Sequence, residues 1–452
     1  MTSTLLIRRR METAAILAKL KQTQQQLDLL PVVDGDSCEI DTLWLERVRV
    51  CSKIGSAIIK LLKHPQCSIT KLELIYCQGS VDKVLQEIFT PPRKYGNKRQ
   101  ISIRSLSVGG HGSVTLALAK GLARYPSLLQ ELKLETDFSH AVALPLAQAL
   151  QACLDNDRAR LTKLDLTNCN LSHQAALLLA KAFYKHTTQE HLVPSSLETL
   201  ILADCRLRDD EMATIIQALT TQSSLQRLSI PLNECKSQTP HAIAQLLSSS
   251  SPSSASLRYL DMSQQLIGTE KCLDLIPILT ALNTNNMLKI WNVKENYLSD
   301  IQMKTFGTTL SINTTLEEIN LQCDDIGNVG IQALAAGLAS NTGLKRLFLK
   351  HNLFHHERAE EWLAQALEYH TQLELLDMDH HIPSPTRQQI QLYLCLNRSG
   401  RRYMTPNSIP LSYWAIILEQ VETVLDGTAV EAGIQTFDLV YALLQGPALL
   451  ES

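Results

Sequence analysis

Little in this chain suits nucleic-acid binding, phosphate chemistry or a disulfide scaffold. Aromatic residues make up only 5% of 452 residues, too few for the stacking platforms that hold single strands. Charge is nearly balanced, 42 basic against 45 acidic residues for a net of −3. A chain built to neutralise phosphates shows a basic excess, so no nucleic-acid partner is expected. The strongest basic stretch, Arg93-Lys94 with Lys98-Arg99, reads as a solvated loop. No apolar run approaches the ~18–20 residues that a membrane helix needs, so no membrane role is expected.

The 11 cysteines are odd in number and none sit at CxxC spacing. That pattern supports neither a disulfide framework nor a zinc site. It reads as reduced thiols and a cytoplasmic setting, with the nucleus as the alternative. At the N-terminus, Leu5-Leu6-Ile7 is too short for a secretory h-region. Three arginines with nothing acidic before Glu12 fit an organelle transit peptide, but a plain helical or disordered leader is the preferred reading. Without a secretory route, the Asn313-Thr-Thr and Asn397-Arg-Ser patterns carry no meaning. Phosphate-loop, nucleophile-elbow and zincin motifs are absent from the sequence. Gly109-Gly-His-Gly112 reads as a turn after a strand. The chain is therefore expected to be no enzyme, with no cofactor and no metal.

What the chain does have is a repeat, and repeats decide the fold. Leu316-Glu-Glu-Ile319-Asn-Leu321 alternates apolar and polar residues as a short strand does. Asp325-Ile326-Gly327 turns the chain. Ile331, Leu334, Ala335 and Leu338 then lie at i, i+3, i+4 and i+7, one apolar helix face. Strand anchors of the same kind recur at Ile69/Leu72/Leu74, Ile103/Leu106/Val108, Leu129/Leu132/Leu134, Leu161/Leu164/Leu166 and Leu197/Leu200/Leu202. They continue at Leu225/Leu228/Ile230, Leu257/Leu260/Met262, Leu288/Trp291/Val293, Leu344/Leu347/Leu349 and Leu373/Leu376/Met378. Helical faces at Met212/Ile215/Ile216/Leu219, Cys272/Leu275/Ile276/Leu279, Ala176/Leu179/Ala180/Phe183 and Thr115/Leu118/Ala119/Leu122 show the second period independently. Alternation of this kind predicts parallel strands with helices on one side. Three residues past the strands stand Cys77, Cys169, Cys205, Asn233, Asn296 and Asn352, small groups suited to bonding buried backbone atoms.

Leu161-Thr-Lys-Leu-Asp-Leu-Thr-Asn-Cys-Asn-Leu and Leu197-Glu-Thr-Leu-Ile-Leu-Ala-Asp-Cys-Arg-Leu resemble the LxxLxLxxN/CxL signature of leucine-rich-repeat proteins. The 28-residue step from Leu316 to Leu344 and the long helices resemble the ribonuclease-inhibitor-like subfamily, over roughly residues 65 to 395. The resemblance implies an α/β solenoid, a horseshoe with strands on the concave face, helices on the convex face and a helical C-terminal cap. The expected organisation is a leader over 1–38, repeats over 39–395 with a degenerate first unit at Leu43-x-Leu45-x-x-Val48, and a helical cap or extension over 396–452. Leu394-Cys-Leu-Asn-Arg-Ser-Gly-Arg-Arg, Pro410-Leu-Ser-Tyr-Trp and Leu443-Leu-Gln-Gly-Pro resemble C-terminal extensions on leucine-rich-repeat proteins of unicellular algae. Helices are expected around Gln388–Leu396, Leu411–Val421 and Phe437–Leu444. Ser248–Ser256 reads as a passive, flexible loop.

On such a fold, function lies between the strand anchors, where equivalent positions on adjacent strands stack about 4.8 Å apart. One row, Arg258, Lys289, Glu317, Lys345 and Glu374, alternates in sign over its last four members and reads as a mutually satisfied charge ladder. The next reads Arg227, Tyr259, Ile290, Glu318, Arg346 and Leu375. The third reads Asp261, Asn292, Asn320, Phe348 and Asp377. Tyr259, Ile290, Phe348 and Leu375 are expected to face solvent beside arginine, the makings of an interface hot spot. The candidate partner-binding residues are accordingly Tyr259, Ile290, Glu318, Arg346, Phe348, Leu375 and Asp377, and the expected partner is another protein. His351, His355, His356, His370, His380 and His381 gather near the last repeats, but a turn at Asn352-Leu353-Phe354 argues against a metal grip by His351 and His355.

The leading functional expectation is a protein-interaction scaffold or adaptor. Alternatives are a GTPase activator resembling the Ran-directed leucine-rich-repeat activators, a nuclease inhibitor, and the sensor half of an innate-immune receptor. Each lacks a feature that its resemblance requires: an acidic tail, a cysteine-rich acidic chain, and a preceding nucleotide-binding domain.

Overall fold

The computed structural model describes residues 3–8, 11, 13–28, 40–90, 101–110, 112–125, 129–136, 140–155, 160–184, 196–221, 224–248, 256–265, 273–379, 384–398 and 401. The basic stretch at 93–99, most of the serine-rich segment, His380, His381, Cys272 and the two helices expected beyond 402 lie outside the described residues. The chain divides into two compact units, Met1–Asn233 and Glu234–Ser452.

Both units alternate strand and helix. In the first, Ser3–Arg8, Ile40–Glu46, Lys71–Ile75, Ser105–Gly110, Glu131–Thr136, Lys163–Asp165, Thr199–Ile201 and Arg227–Ser229 pair in chain order, each parallel to the next. In the second, Tyr259–Asp261, Ile290–Asn292, Glu318–Asn320, Arg346–Phe348 and Leu375–Asp377 do the same. Each unit is thus an open α/β leucine-rich-repeat solenoid. The anchors read from the sequence are buried throughout, with Leu376 half-buried. A parallel strand must be followed by a crossover, and the apolar helix stripes supply it by packing back on the anchors.

Short parallel strands leave many backbone groups to satisfy, and side chains complete the work. Asn233 Nδ2 donates to the carbonyls of Leu202 (2.8 Å) and Ile230 (3.1 Å). Asn296 serves Met262 and Val293, and Asn352 serves Leu321 and Leu349. Their oxygens accept N–H groups from the preceding repeat, such as Cys205 and Leu207 on Asn233. Thiols play the donor part elsewhere: Cys77, Cys169 and Cys205 donate to the carbonyls of Leu45, Leu134 and Leu166. Burial pushes the Cys205 thiol well up and that of Cys153 up to about 12, so neither is a nucleophile at neutral pH. Gln265 and Asp324 occupy the same rung in their own repeats. Burial holds the Asp324 carboxyl well above the usual carboxylate range. It supplies the accepting half of the rung, Oδ1 taking the Asn296 N–H, while Oδ2 is buried without a partner among the described residues.

The turn after the strands has a second constant. Arg47, Tyr76, Asn168, Asp204, Gln264, Glu295 and Cys323 all have positive φ, between 50° and 61°. None is glycine, and the left-handed conformation costs such residues about 1–2 kcal/mol each. The offset is visible: each of these N–H groups reaches a carbonyl of the next repeat, as Glu295 does to Gln322.

A further ladder runs along the helix C-termini of the second unit. Asn285, Asn313 and Asn341 each donate to a carbonyl of the preceding repeat and accept two N–H groups of their own loop. Asn397 closes it on the carbonyls of His370 and Leu373. His370 takes the intervening rung: Nδ1 accepts the N–H groups of Gln372 and Leu373, which leaves the proton on Nε2, facing Asn341 Oδ1 at 3.3 Å. Gly307 and Gly337 let the helices Asp300–Ile312 and Asn328–Ser340 approach closely. A Cβ on either would collide with the other helix's backbone.

Three sequence expectations need correction. Leu5-Leu6-Ile7 is no helical or disordered leader: Ser3–Arg8 is a strand parallel to Ile40–Glu46, with Leu5 and Ile7 buried. With the helix Thr13–Asp28 it forms a strand–helix unit ahead of the first one recognised. Ile276 is 41% exposed instead of facing the core. The helix there is only Ile276–Leu282, and Leu275 is its N-cap, so the apolar face falls on Ile278, Leu279 and Leu282. The helix expected at Gln388–Leu396 is longer, Pro385–Arg398, and Arg401 beyond it donates to the carbonyls of Leu367 and Glu368.

Leu321 is fully buried, so Leu321→Ala should cost on the order of 2–5 kcal/mol through the cavity it leaves. Urea or thermal unfolding measures this, and a shift of less than a degree would misplace that strand. Burial lowers the His370 pKa from 6.5 to about 4, so the unfolded chain takes up this proton before the folded one does. Stability should therefore fall by on the order of 3 kcal/mol as pH drops from about 6.5 to about 4. In His370→Asn, urea midpoints followed across that range should lose this component of the slope.

Candidate protein-binding face

The residues between the anchors form a registered surface in the second unit. Tyr259, Ile290, Glu318, Arg346 and Leu375 pair in a row, and Asp261, Asn292, Asn320, Phe348 and Asp377 form the next. The row before them is registered too, since the N–H groups of Lys289, Glu317, Lys345 and Glu374 donate in turn to the carbonyls of Arg258, Lys289, Glu317 and Lys345. All the candidate residues therefore come together on one face. Their backbones are fixed by the sheet, and their partners are fixed by the repeat.

Charge on this face is mutually arranged. Glu317 bridges Lys289 at 3.0 Å and Lys345 at 2.8 Å, so the predicted ladder exists over these three of its four alternating members. The Lys345 hydrogen bond, then that of Lys289, holds the Glu317 carboxyl below its ordinary range against its partial burial. Arg346 Nε donates to Glu318. Asp377 accepts from Lys350 at 2.7 Å and from Gln322 Nε2 at 3.0 Å. Asn292 Nδ2 donates to Asp261 at 3.0 Å. Three of the seven candidates, Glu318, Arg346 and Asp377, are thus held by ion pairs before any ligand arrives.

The apolar members differ from expectation. Leu375 is exposed, at 40%, but Tyr259, Ile290 and Phe348 are half-buried. Strands about 4.8 Å apart bring long side chains of neighbouring rows against one another, and each shields the next. Ile290 and Tyr259 are direct cross-strand neighbours, and Phe348 lies opposite both Asn320 and Asp377.

Sequence reasoning passed over a further row on the turns. Gln264 Nε2 donates to Glu295 at 2.8 Å, and Lys294 pairs with the same carboxylate at 3.0 Å. The Gln264 hydrogen bond, ahead of Lys294, holds Glu295 below its ordinary range. Lys350 and Gln322 belong to the same region. The spacing of these polar residues one or two places past each last anchor carried the signal.

The histidines stay apart. His351 is in a turn, with φ of 60°, and faces Asp379 at 3.3 Å, while His355 is the N-cap of the helix His356–Tyr369. His370 lies in the core. Among the described residues no group of three His, Cys, Asp or Glu is placed to hold a metal ion. No helix among them is long and apolar enough to cross a membrane.

The strand–helix repeat agrees with a family match and with one known relative. The Leucine Rich repeat family matches residues 313–335, the strand–helix unit from which the repeat was read. A ribonuclease inhibitor of Mus musculus is 25% identical over 306 residues, which is 66% of this chain. The match spans 62% of that relative's length. Among solved structures, the chain is similar to leiomodin-1 actin-binding site 2, with 22% identity, a TM-score of 0.26, and coverage of 28% of this chain and 73% of that one. It is also similar to a tropomodulin C-terminal domain of Caenorhabditis elegans, with 14% identity, a TM-score of 0.23, and coverage of 28% and 96%. The chain thus contains a leucine-rich repeat at residues 313–335 and is similar over two thirds of its length to a ribonuclease inhibitor.

Glu317→Gln weakens two ion pairs whose members are about a third exposed. Its cost should stay below about 1 kcal/mol and shrink as salt rises. Melting in low and high salt checks this. A cost of several kcal/mol that salt leaves unchanged would make the ladder part of the core.

Proposed function

We propose that the chain is a non-catalytic protein-interaction scaffold or adaptor whose partner docks on the strand face of the second unit. The contact residues in this reading are Tyr259, Ile290, Glu318, Arg346, Phe348, Leu375 and Asp377. The observation that carries it is the registered juxtaposition of half-exposed apolar side chains with pre-paired charges. Ion pairs already made do not have to be ordered on binding, so less conformational entropy is lost. The apolar side chains supply the area from which hot spots are built. The expected setting is the cytoplasm.

A second reading, inhibition of another protein by occlusion, draws support from the similarity to a ribonuclease inhibitor. It uses the same face. The decisive comparison is affinity purification of the full chain against a Tyr259→Ala, Phe348→Ala, Leu375→Ala variant shown to melt cooperatively. The expected result is a protein held by the wild type and weakened at least tenfold in the variant. Undiminished capture by the variant would move the docking site off this face. Adding the purified chain to the captured partner and measuring that partner's activity separates occlusion from scaffolding.

A further inference from the structure

The first unit has a cleft of about 530 Å³ at the carboxyl ends of its first strands. That volume lies within the range of about 300–1,000 Å³ typical of small-molecule sites. Its charged lining among the described residues is Arg8, Arg47 and Arg49, and no described carboxylate lines it. Three elements bring these arginines together. Arg8 ends the strand Ser3–Arg8, Arg47 is the left-handed turn residue after Ile40–Glu46, and Arg49 opens the short strand Arg49–Val50. Arg8 has a mostly exposed ion pair with Glu46 at 3.4 Å. Arg47 and Arg49 are exposed and have no ion pair among the described residues.

Three like charges around one hollow repel one another, and two of them have no ion pair among the described residues. Arginines that separate elements bring to one hollow suit a tetrahedral oxyanion, which each guanidinium can grip with paired N–H donors. The rest of the lining is of another kind. Met11 and Ile16 form an apolar side, and the Tyr76 ring, 44% exposed, borders the hollow. Its hydroxyl is engaged with Glu135 Oε1, so the ring is held in place. The space also far exceeds one phosphate group.

We propose that this cleft binds a small phosphomonoester, its phosphate between Arg8, Arg47 and Arg49 and its organic body against Met11, Ile16 and Tyr76. The site is independent of the protein-binding face, which belongs to the other unit.

The test is calorimetric titration of the full chain with inorganic phosphate, glucose 6-phosphate and adenosine monophosphate, together with sedimentation with vesicles containing phosphatidic acid. At least one phosphomonoester should bind tenfold or more tightly than inorganic phosphate, and its affinity should fall as salt rises. An Arg47→Asn, Arg49→Gln variant should lose at least tenfold in that affinity while melting as the wild type does. Asparagine is chosen because it tolerates the left-handed turn. Should the double variant be unstable, Arg49→Gln alone, outside that turn, should still lose several-fold. Three outcomes would overturn the proposal: no binding by any soluble phosphate at millimolar concentration, equal binding by both variants, or binding to the vesicles alone, which would make the ligand a membrane surface.

Discussion

The buried side-chain-to-backbone hydrogen bond is the interaction on which everything else here depends. Strands of three residues, such as Glu318–Asn320, bond few of their own backbone groups. The turns that follow them are packed inside the repeat, where an unpaired carbonyl costs on the order of 1–3 kcal/mol. Asn233, Asn296 and Asn352 remove that cost by serving a carbonyl of their own repeat, a carbonyl of the repeat before and N–H groups there as well. Each repeat is therefore completed by its neighbour. Removing one asparagine leaves groups on two repeats unsatisfied, which is why solenoid stability is a nearest-neighbour property.

Variation within the ladders shows what the rungs must supply. Cysteine can donate, weakly, but has little to offer as acceptor. At Cys77, Cys169 and Cys205 the thiol finds its carbonyl. Asp324 and His370 instead bring ionisable groups to fully buried rungs and are kept neutral there by opposite displacements, the acid upward and the imidazole downward. Burial favours the neutral form in both cases. The two rungs therefore respond to pH with opposite sign. Burying Asp324 costs the fold least in acid, and burying His370 costs it least above about pH 6.5.

Much of the fold was legible because two periods alternate, 2 for the strands and 3.6 for the helices, and an anchor such as Ile319 has meaning in one only. The strand-side rungs were legible at Asn233, Asn296 and Asn352, but Gln265 and Asp324 hid the same position behind other chemistry. Asn285, Asn313 and Asn341 recur every 28 residues, a signal as plain as the leucines, but it falls on polar loop positions that carry no apolar period. The first strand was lost because Leu5 and Leu43 are 38 residues apart, beyond the spacing of the other units. The charge ladder could be read from register alone. How far Tyr259, Ile290 and Phe348 are shielded could not, because it depends on side-chain bulk across strands. The arginine cleft joins positions from separate strands and turns that share no spacing.

The meeting of Gly307 with Gly337 has a geometric consequence. A repeat bends its array because helices need more room side by side than strands do, so each unit is a wedge with its thin edge at the sheet. Helices ordinarily pack 8–10 Å apart, set by the side chains between them. Glycine against glycine removes those side chains, so Asp300–Ile312 and Asn328–Ser340 meet backbone to backbone, and a side chain added at either position would have to push the two helices apart.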